Sequence, residues 1–390
     1  MKIFYLTPRV PYPIDKGDKL RAFYQIKYLS QKNDIYLYSL DENDVFIPNN
    51  NPLYKYCKNI KVTKLSRLRI LLNLLKGVFT KVPFQTSYYY SKEIKKDISK
   101  AIDIFQPDII FCQLIRSAKF VEDITNIPKV IDYVDVISKG LERRIEKSKL
   151  FLKLLLKWEL KRAIKYEKQV YDNFDDWIII TDEDKNLLPF NEKKFIKVIP
   201  NGIDLEFFHP IISIKDCDVL FSGNLSYPPN IDAAEFLVKE IMPLVWDVNP
   251  NISVTIAGAA PKNRILTLAS DKIKIVGWTE DIRENYKKAK VFIAPLRIGT
   301  GLQNKLLQAM AMKLPCVVSD LTAKGITNEN CDFMLVAKSK EQYANHIIHL
   351  LNDSDFSNMI AEKGFSYVTN NYNWEDIINN LDEIIKNVKR

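Results

Sequence analysis

Apolar residues recur along the chain in two alternating rhythms. Short continuous runs, IFYLTP (3–8), DIYLYSL (34–40), DIIFCQL (108–114), KVIDYVDV (129–136) and DWIIITD (176–182), read as strands buried on both faces. Between them, residues 17–31, 91–104 and 117–124 place apolar positions at helical spacing. A second series follows: DVLFSGN (218–224), SVTIAGA (253–259), KIKIVGW (272–278), VFIAPL (291–296), PCVVSD (315–320) and FMLVA (333–337). Helices are predicted between these runs, one over 230–240 and one from about Leu302 to Met312, with a last helix starting at Asn373. Buried strands that alternate with helices form a parallel sheet covered on both faces. The predicted fold class is therefore α/β, with two doubly wound, Rossmann-like domains facing a central cleft. Ligands of such sheets sit beyond the carboxyl ends of the strands. The expected division is 1–195, then 196–370, with a C-terminal helix at 371–390 crossing back to the first domain.

A chain of 390 residues suits two domains. The 47% hydrophobic and 27% charged composition is that of an ordinary globular protein. Five cysteines lie scattered without a CxxC pair, and only three histidines occur, so no metal site is expected. No apolar stretch approaches the ~18 residues of a spanning helix, and the first apolar run is too short for a signal segment. A cytoplasmic location, peripheral to the inner face of the cell membrane, is expected.

Charge changes this picture by its placement. The net charge is +9, yet residues 61–100 alone carry +8 and residues 141–170 carry +6. Both blocks also carry dense apolar residues, and a basic amphipathic helix of this kind can lie on anionic lipid. In the first block, Arg67, Arg69 and Lys76 flank a leucine run that includes Leu71 and Leu72, and membrane contact is the favoured reading. The second block reads more simply as a long helix with its apolar stripe turned inward. Its lysines would then be a solvated face. Aromatic residues do not interleave with the basic ones, so no nucleic acid partner is expected.

The segment most suggestive of chemistry is APLRIGTGLQNKLLQAMAMKLPCVVSD (294–320). A strand ends at Leu296, and a loop with Gly299, Thr300 and Gly301 opens a helix at Leu302. Glycines let backbone approach a ligand, and unpaired N–H groups at a helix start suit a phosphate. Lys305 adds a formal charge. A tight structural turn would look similar.

This segment resembles the C-terminal signature of family 4 (group 1) glycosyltransferases of the GT-B type. Further agreement lies in Gly17, VIPNGID (198–204), FSGNL (221–225), VGWTEDI (276–282) and YNWEDI (372–377). The form FSGNLSYPPN (221–230) with DYVDV (132–136) is similar to an exopolysaccharide-associated subgroup. The resemblance implies a nucleotide-sugar donor held by the second domain and a saccharide or lipid-linked acceptor held by the first. Transfer would retain the anomeric configuration and require no cofactor. It further implies donor contacts from Gly223, Asn224, Arg297, Gly299, Thr300, Gly301, Leu302, Lys305 and Gln308. Arg9, Gly17 and Lys19 would lie on the acceptor or phosphate side, with Asp135 and Asp132 in the catalytic region.

The chain departs from the family at several positions. The family's glutamate pair falls on Thr300 and Gln308, its Arg-x5-Lys phosphate pair on Asn224 and Asn230, and its His-Asp on Val134-Asp135. Arg297, Lys305 or Arg9 could supply the missing cation. An Asp at a strand end is also a common turn or cap residue. The alternative to an active transferase is a degenerate nucleotide-sugar-binding or partner subunit.

Overall fold

The computed structural model describes residues 1–42, 51–146, 148–299, 301–327 and 331–388. The chain divides into two compact units, Met1–Pro200 with Glu375–Arg390, and Asn201–Trp374.

The first unit is built on a seven-stranded sheet: β1 (Lys2–Thr7), β2 (Asp34–Asp41), β3 (Asn59–Lys64), β4 (Ile109–Gln113), β5 (Lys129–Asp132), β6 (Asp176–Ile179) and β7 (Lys197–Val198). The spatial order is β3-β2-β1-β4-β5-β6-β7, and every pairing is parallel. Residues Ile3 to Leu6 of β1 are fully buried, because helices cover both faces of the sheet. The chain order reverses between β1 and β4, so their carboxyl ends diverge into a crevice where ligands of this topology bind. The helix Gly17–Leu29 begins beside that crevice, and its Ala22, Ile26 and Leu29 are buried. The C-terminal helix Trp374–Lys386 packs into this unit through Ile378, Leu381 and Ile385. Asn33 Nδ2 donates to Asp382 Oδ1 at 2.8 Å, and Lys32 Nζ donates to Asn379 Oδ1 at 2.7 Å.

The second unit repeats the plan with six parallel strands: β8 (Cys217–Ser222), β9 (Val254–Ala257), β10 (Ile273–Val276), β11 (Ala289–Ala294), β12 (Cys316–Ser319) and β13 (Leu335–Ala337). Their order is β10-β9-β8-β11-β12-β13, so the reversal falls between β8 and β11. Two doubly wound sheets agree with the α/β expectation. The sequence reading had no strand at β3 or β7. It also placed a helix over 117–124, where the structure has the short turn Ile115–Ala118.

The two basic helices are buried to different extents. Helix Arg67–Val78 buries only Gly77, while Leu68, Leu71, Leu72, Leu75 and Val78 stand exposed and Phe79 beyond it is 92% exposed. The long helix Leu150–Asn173 is divided along its length. Its second half turns Ala163, Tyr166, Val170 and Tyr171 into the core, as an inward stripe should. Its first half leaves Leu150, Leu152, Leu154, Leu155 and Trp158 exposed. Arg162 ties the two helices together. Its Nη2 donates to the Gly77 carbonyl at 2.6 Å and to the Val82 carbonyl, and its guanidinium lies over Trp158, 4.2 Å from the ring centre. No described helix is long and apolar enough to cross a membrane.

Candidate functional site

In the second unit the crevice at the reversal point is lined by the ends of β8 and β11. Gly223 follows β8 with φ +156°, and Gly258 follows β9 with φ +151°. A Cβ on Gly258 would lie 1.7 Å from the Gly223 carbonyl oxygen, and one on Gly223 would lie 2.8 Å from Asn230 Nδ2 and 3.0 Å from Lys305 Nζ. Only glycine permits this closeness.

Lys305 is the centre of the site. It belongs to the helix Asn304–Ala311, whose N-cap position Gln303 makes no side-chain cap, so the first N–H groups remain available to an anion. Its amine donates to Asn230 Oδ1 and lies 4.9 Å from the ring centre of Phe221. Burial alone pushes its pKa down to about 7. No carboxylate is within ion-pair distance of it among the described residues. Asn230 Nδ2 in turn donates to the Asn224 carbonyl at 2.9 Å. The amine therefore meets Asn230, the residue on which the family's phosphate lysine falls in the sequence, and arrives there from a different helix.

The other expected donor residues are placed less uniformly. Gly299 and Gly301 have φ of +117° and +79°, which suits glycine, and Leu302 packs against the core. Thr300 lies outside the described residues. The Asn224 side chain turns back on its own loop, accepting from Ser226 N at 2.9 Å and Ser226 Oγ at 2.7 Å. Gln308 Oε1 accepts from the Tyr286 hydroxyl at 3.0 Å, with Ser222 Oγ 2.7 Å from the same hydroxyl. Tyr286 was not singled out from the sequence, since a lone Tyr in a charged helix carries no pattern. Arg297 is a correction. Its guanidinium grips Asp232 through two bonds of 2.9 and 3.1 Å and reaches Glu240 at 3.4 Å, so its charge is spent on carboxylates rather than lent to a phosphate.

In the first unit, Arg9, Lys16 and Lys19 line a small polar cavity with Asp41 and Glu42. Arg9 pairs with Asp18 at 2.9 Å and Lys19 with Asp15 at 2.8 Å. Gly17 opens the adjoining helix with free space where a Cβ would stand. Asp132 is the second correction. It is fully buried and pairs with the equally buried Arg21 at 2.6 Å. Its remaining bonds, from Gln25 Nε2 at 2.9 Å and Val134 N at 3.2 Å, complete an internal network that no substrate can enter.

Asp135 differs, because it keeps an exposed surface. It follows Val134, a β-branched residue held at φ +63°, and Leu114 at the end of neighbouring β4 has φ +62°. Such strain persists only where surrounding structure imposes it, and it gathers at functional sites. Enclosure by protein, then Asp184 and Asp18, raise the Asp135 pKa against the opposing field of Arg116. The loop is pinned from behind by Glu167. That buried carboxylate accepts from Ser138 N at 3.0 Å, and burial lifts its pKa to about 7.

Residues 216–353 match the family model described as glycosyl transferases group 1. The second unit is a group 1 glycosyltransferase domain. The Gly223–Lys305 crevice lies within the matched glycosyltransferase segment. Along almost the whole chain, the protein is 24% identical over 397 residues to a Klebsiella pneumoniae protein named for its place in the cps region, covering 97% of this chain and 98% of that one. It is 23% identical over 213 residues to the Escherichia coli UDP-Gal:alpha-D-GlcNAc-diphosphoundecaprenol alpha-1,3-galactosyltransferase, covering 48% and 52% of the two chains. Among solved structures it is similar to the Anabaena protein HepE in complex with UDP, with TM-score 0.71, 13% identity and coverage of 99% and 100%. Sucrose-phosphate synthase of Thermosynechococcus elongatus gives TM-score 0.70 at 14% identity, with coverage of 99% and 98%. The fold is thus GT-B, two Rossmann-like domains.

Proposed function

We propose that this glycosyltransferase moves a sugar from a nucleotide-sugar donor to a saccharide or lipid-linked acceptor, with retention of anomeric configuration, while docked on the cytoplasmic face of a membrane. The observation that carries the donor half is Lys305: a buried amine without a counter-ion, beside glycines that leave room for a phosphate and at an uncapped helix start. Breaking the sugar–phosphate bond leaves charge on the departing diphosphate. A protonated lysine and aligned N–H groups in a low-dielectric crevice stabilise that charge as it develops. Asp135 is the carboxylate proposed to act near the reacting sugar, and Arg9, Gly17 and Lys19 to face the acceptor or its phosphate.

A thermal-shift panel of UDP, GDP, ADP and TDP tests the donor half. UDP is the expected ligand, because both HepE and the E. coli relative are named with it. At 100 times its dissociation constant it should add about 2.7 kcal/mol of stability. No shift with any of the four would overturn the donor reading. The engaged oxygen of Gln308 favours a second reading, a subunit that binds nucleotide sugar without turning it over. Nucleotide binding with no release of UDP from a UDP-sugar and acceptor mixture would select it.

The membrane half rests on the exposed leucines of helices Arg67–Val78 and Leu150–Asn173 beside their lysines and arginines. Cosedimentation with anionic vesicles should be strong at low salt and weaken as salt rises, each cation contributing about 1 kcal/mol. Replacing Arg67, Arg69 and Lys76 by Glu should abolish most of it and leave UDP binding unchanged. Equal binding to neutral and anionic vesicles would refute it.

A further inference from the structure

The exposed helix Arg67–Val78 covers a cavity of about 270 Å³ in the first unit. Successive helical residues are about 100° apart, so Leu68, Leu71, Leu72 and Leu75 share one side of this helix. Ile70, Asn73 and Gly77 fall on the opposite side, and Arg69 and Lys76 run along one boundary. The burial follows that division: the leucines are exposed, Gly77 is buried and Ile70 packs on the core. Asn73, Lys76 and Gly77 form one wall of the cavity, and Ser91, Lys92 and Lys119 stand on others.

The cations of this cavity are unevenly committed. Lys119 is paired with Glu122. Lys76 and Lys92 make no hydrogen bond or ion pair at bonding distance among the described residues, and both are exposed. The one acid on the wall, Glu93, is engaged by the Ser91 hydroxyl. The cavity therefore keeps a net positive lining next to a row of solvent-exposed leucines.

We propose that this cavity takes the phosphate head group of an anionic membrane lipid, whose acyl chains run along the leucine side of helix Arg67–Val78. The proposal rests on the membrane reading above and adds a defined site to it. Lys76 and Lys92 would clamp the phosphate from two sides. The lipid is a membrane-bound ligand, distinct from the sugar donor of the second unit.

The full-length protein with phosphatidylcholine vesicles containing phosphatidic acid provides the test. Lys92→Glu is compared with Lys100→Glu, the same charge change on the same helix but about 12 Å further along and off the cavity wall. One lipid-facing cation is worth about 1 kcal/mol, or about fivefold in affinity. Lys92→Glu should weaken vesicle binding at least about fivefold, and Lys100→Glu about twofold or less, with UDP binding and melting temperature unchanged in both. Equal losses would mean that only the general field matters, which overturns the cavity site and leaves membrane docking standing. No binding by the unaltered protein would overturn the docking reading itself. Glycerol 3-phosphate, titrated by calorimetry, separates the sources: submillimolar binding of this free head group would assign the cavity to a soluble phosphate and overturn the lipid.

Discussion

Lys305→Met is expected to weaken UDP binding roughly 10- to 150-fold. A hydrogen bond to a charged group contributes about 1.5–3 kcal/mol, and each 1.4 kcal/mol is tenfold. The same change should raise the melting temperature of the nucleotide-free protein, because the amine is buried without a counter-ion and Met fills similar space. The two effects have opposite signs, which a merely structural lysine would not give. The pH dependence follows from the lowered pKa of about 7. Between pH 7 and about 10.4 the unfolded chain binds more protons at this residue than the native one, so native stability rises with pH across that window. Nucleotide binding works the other way. A diphosphate requires the charged amine, so affinity should fall above pH 7, by at most about tenfold per unit. Calorimetric titrations between pH 6.5 and 9 would show this slope in the unaltered protein and its loss in Lys305→Met. A flat profile in both proteins would place the phosphate elsewhere.

Asp132→Ala is expected to cost about 3–5 kcal/mol of stability, the usual result of orphaning a buried charge. Arg21 and Asp132 are both fully buried, and Gln25 donates to the same carboxylate oxygen that Arg21 binds. Removing the carboxylate takes away the guanidinium's buried counter-charge, while its Nη1 still donates to the Pro200 carbonyl at 3.2 Å. Restoring neutrality should recover much of the loss, so Arg21→Met combined with Asp132→Leu is expected to be considerably more stable than Asp132→Ala alone. Urea midpoints of the three proteins measure this directly. A loss below about 1 kcal/mol for Asp132→Ala would show that the pair is solvated, and would reopen a catalytic role for Asp132.

The doubly wound sheets were legible because strands buried on both faces leave continuous apolar runs. β3 was missed for the opposite reason. Its NIKVTK is an edge strand whose lysines face solvent, so its pattern resembles a loop. β7 contributes only two residues, too few for any pattern. The glycine loop and Lys305 stood out as a strand-to-helix phosphate cradle, but the contact between Lys305 and Asn230 spans 75 residues. Nothing local announces that one helix delivers an amine to an asparagine on another. The misplacement of Asp132 has the same origin: its partner Arg21 lies 111 residues earlier. A strand-end carboxylate reads alike whether it faces a substrate or a buried guanidinium. Arg297 was read as available because Asp232 and Glu240 precede it by 65 and 57 residues.

Helix Leu150–Asn173 sets a length scale for the proposed reaction. At about 1.5 Å per residue, the 17 steps from Leu150 to Glu167 amount to about 25 Å. Its end with the exposed leucines and the carboxylate that pins the Asp135 loop are therefore fixed points on one helix. With that end seated in the lipid interface, as proposed, Glu167 beneath the Asp135 loop stands at most about that far above it, and less if the helix leans. Under that proposal, an acceptor anchored in the same bilayer would have to bring its reacting hydroxyl to a height of about this order. Reach, set by the number of residues in a single helix, would then select among acceptors before any contact with the sugar is made.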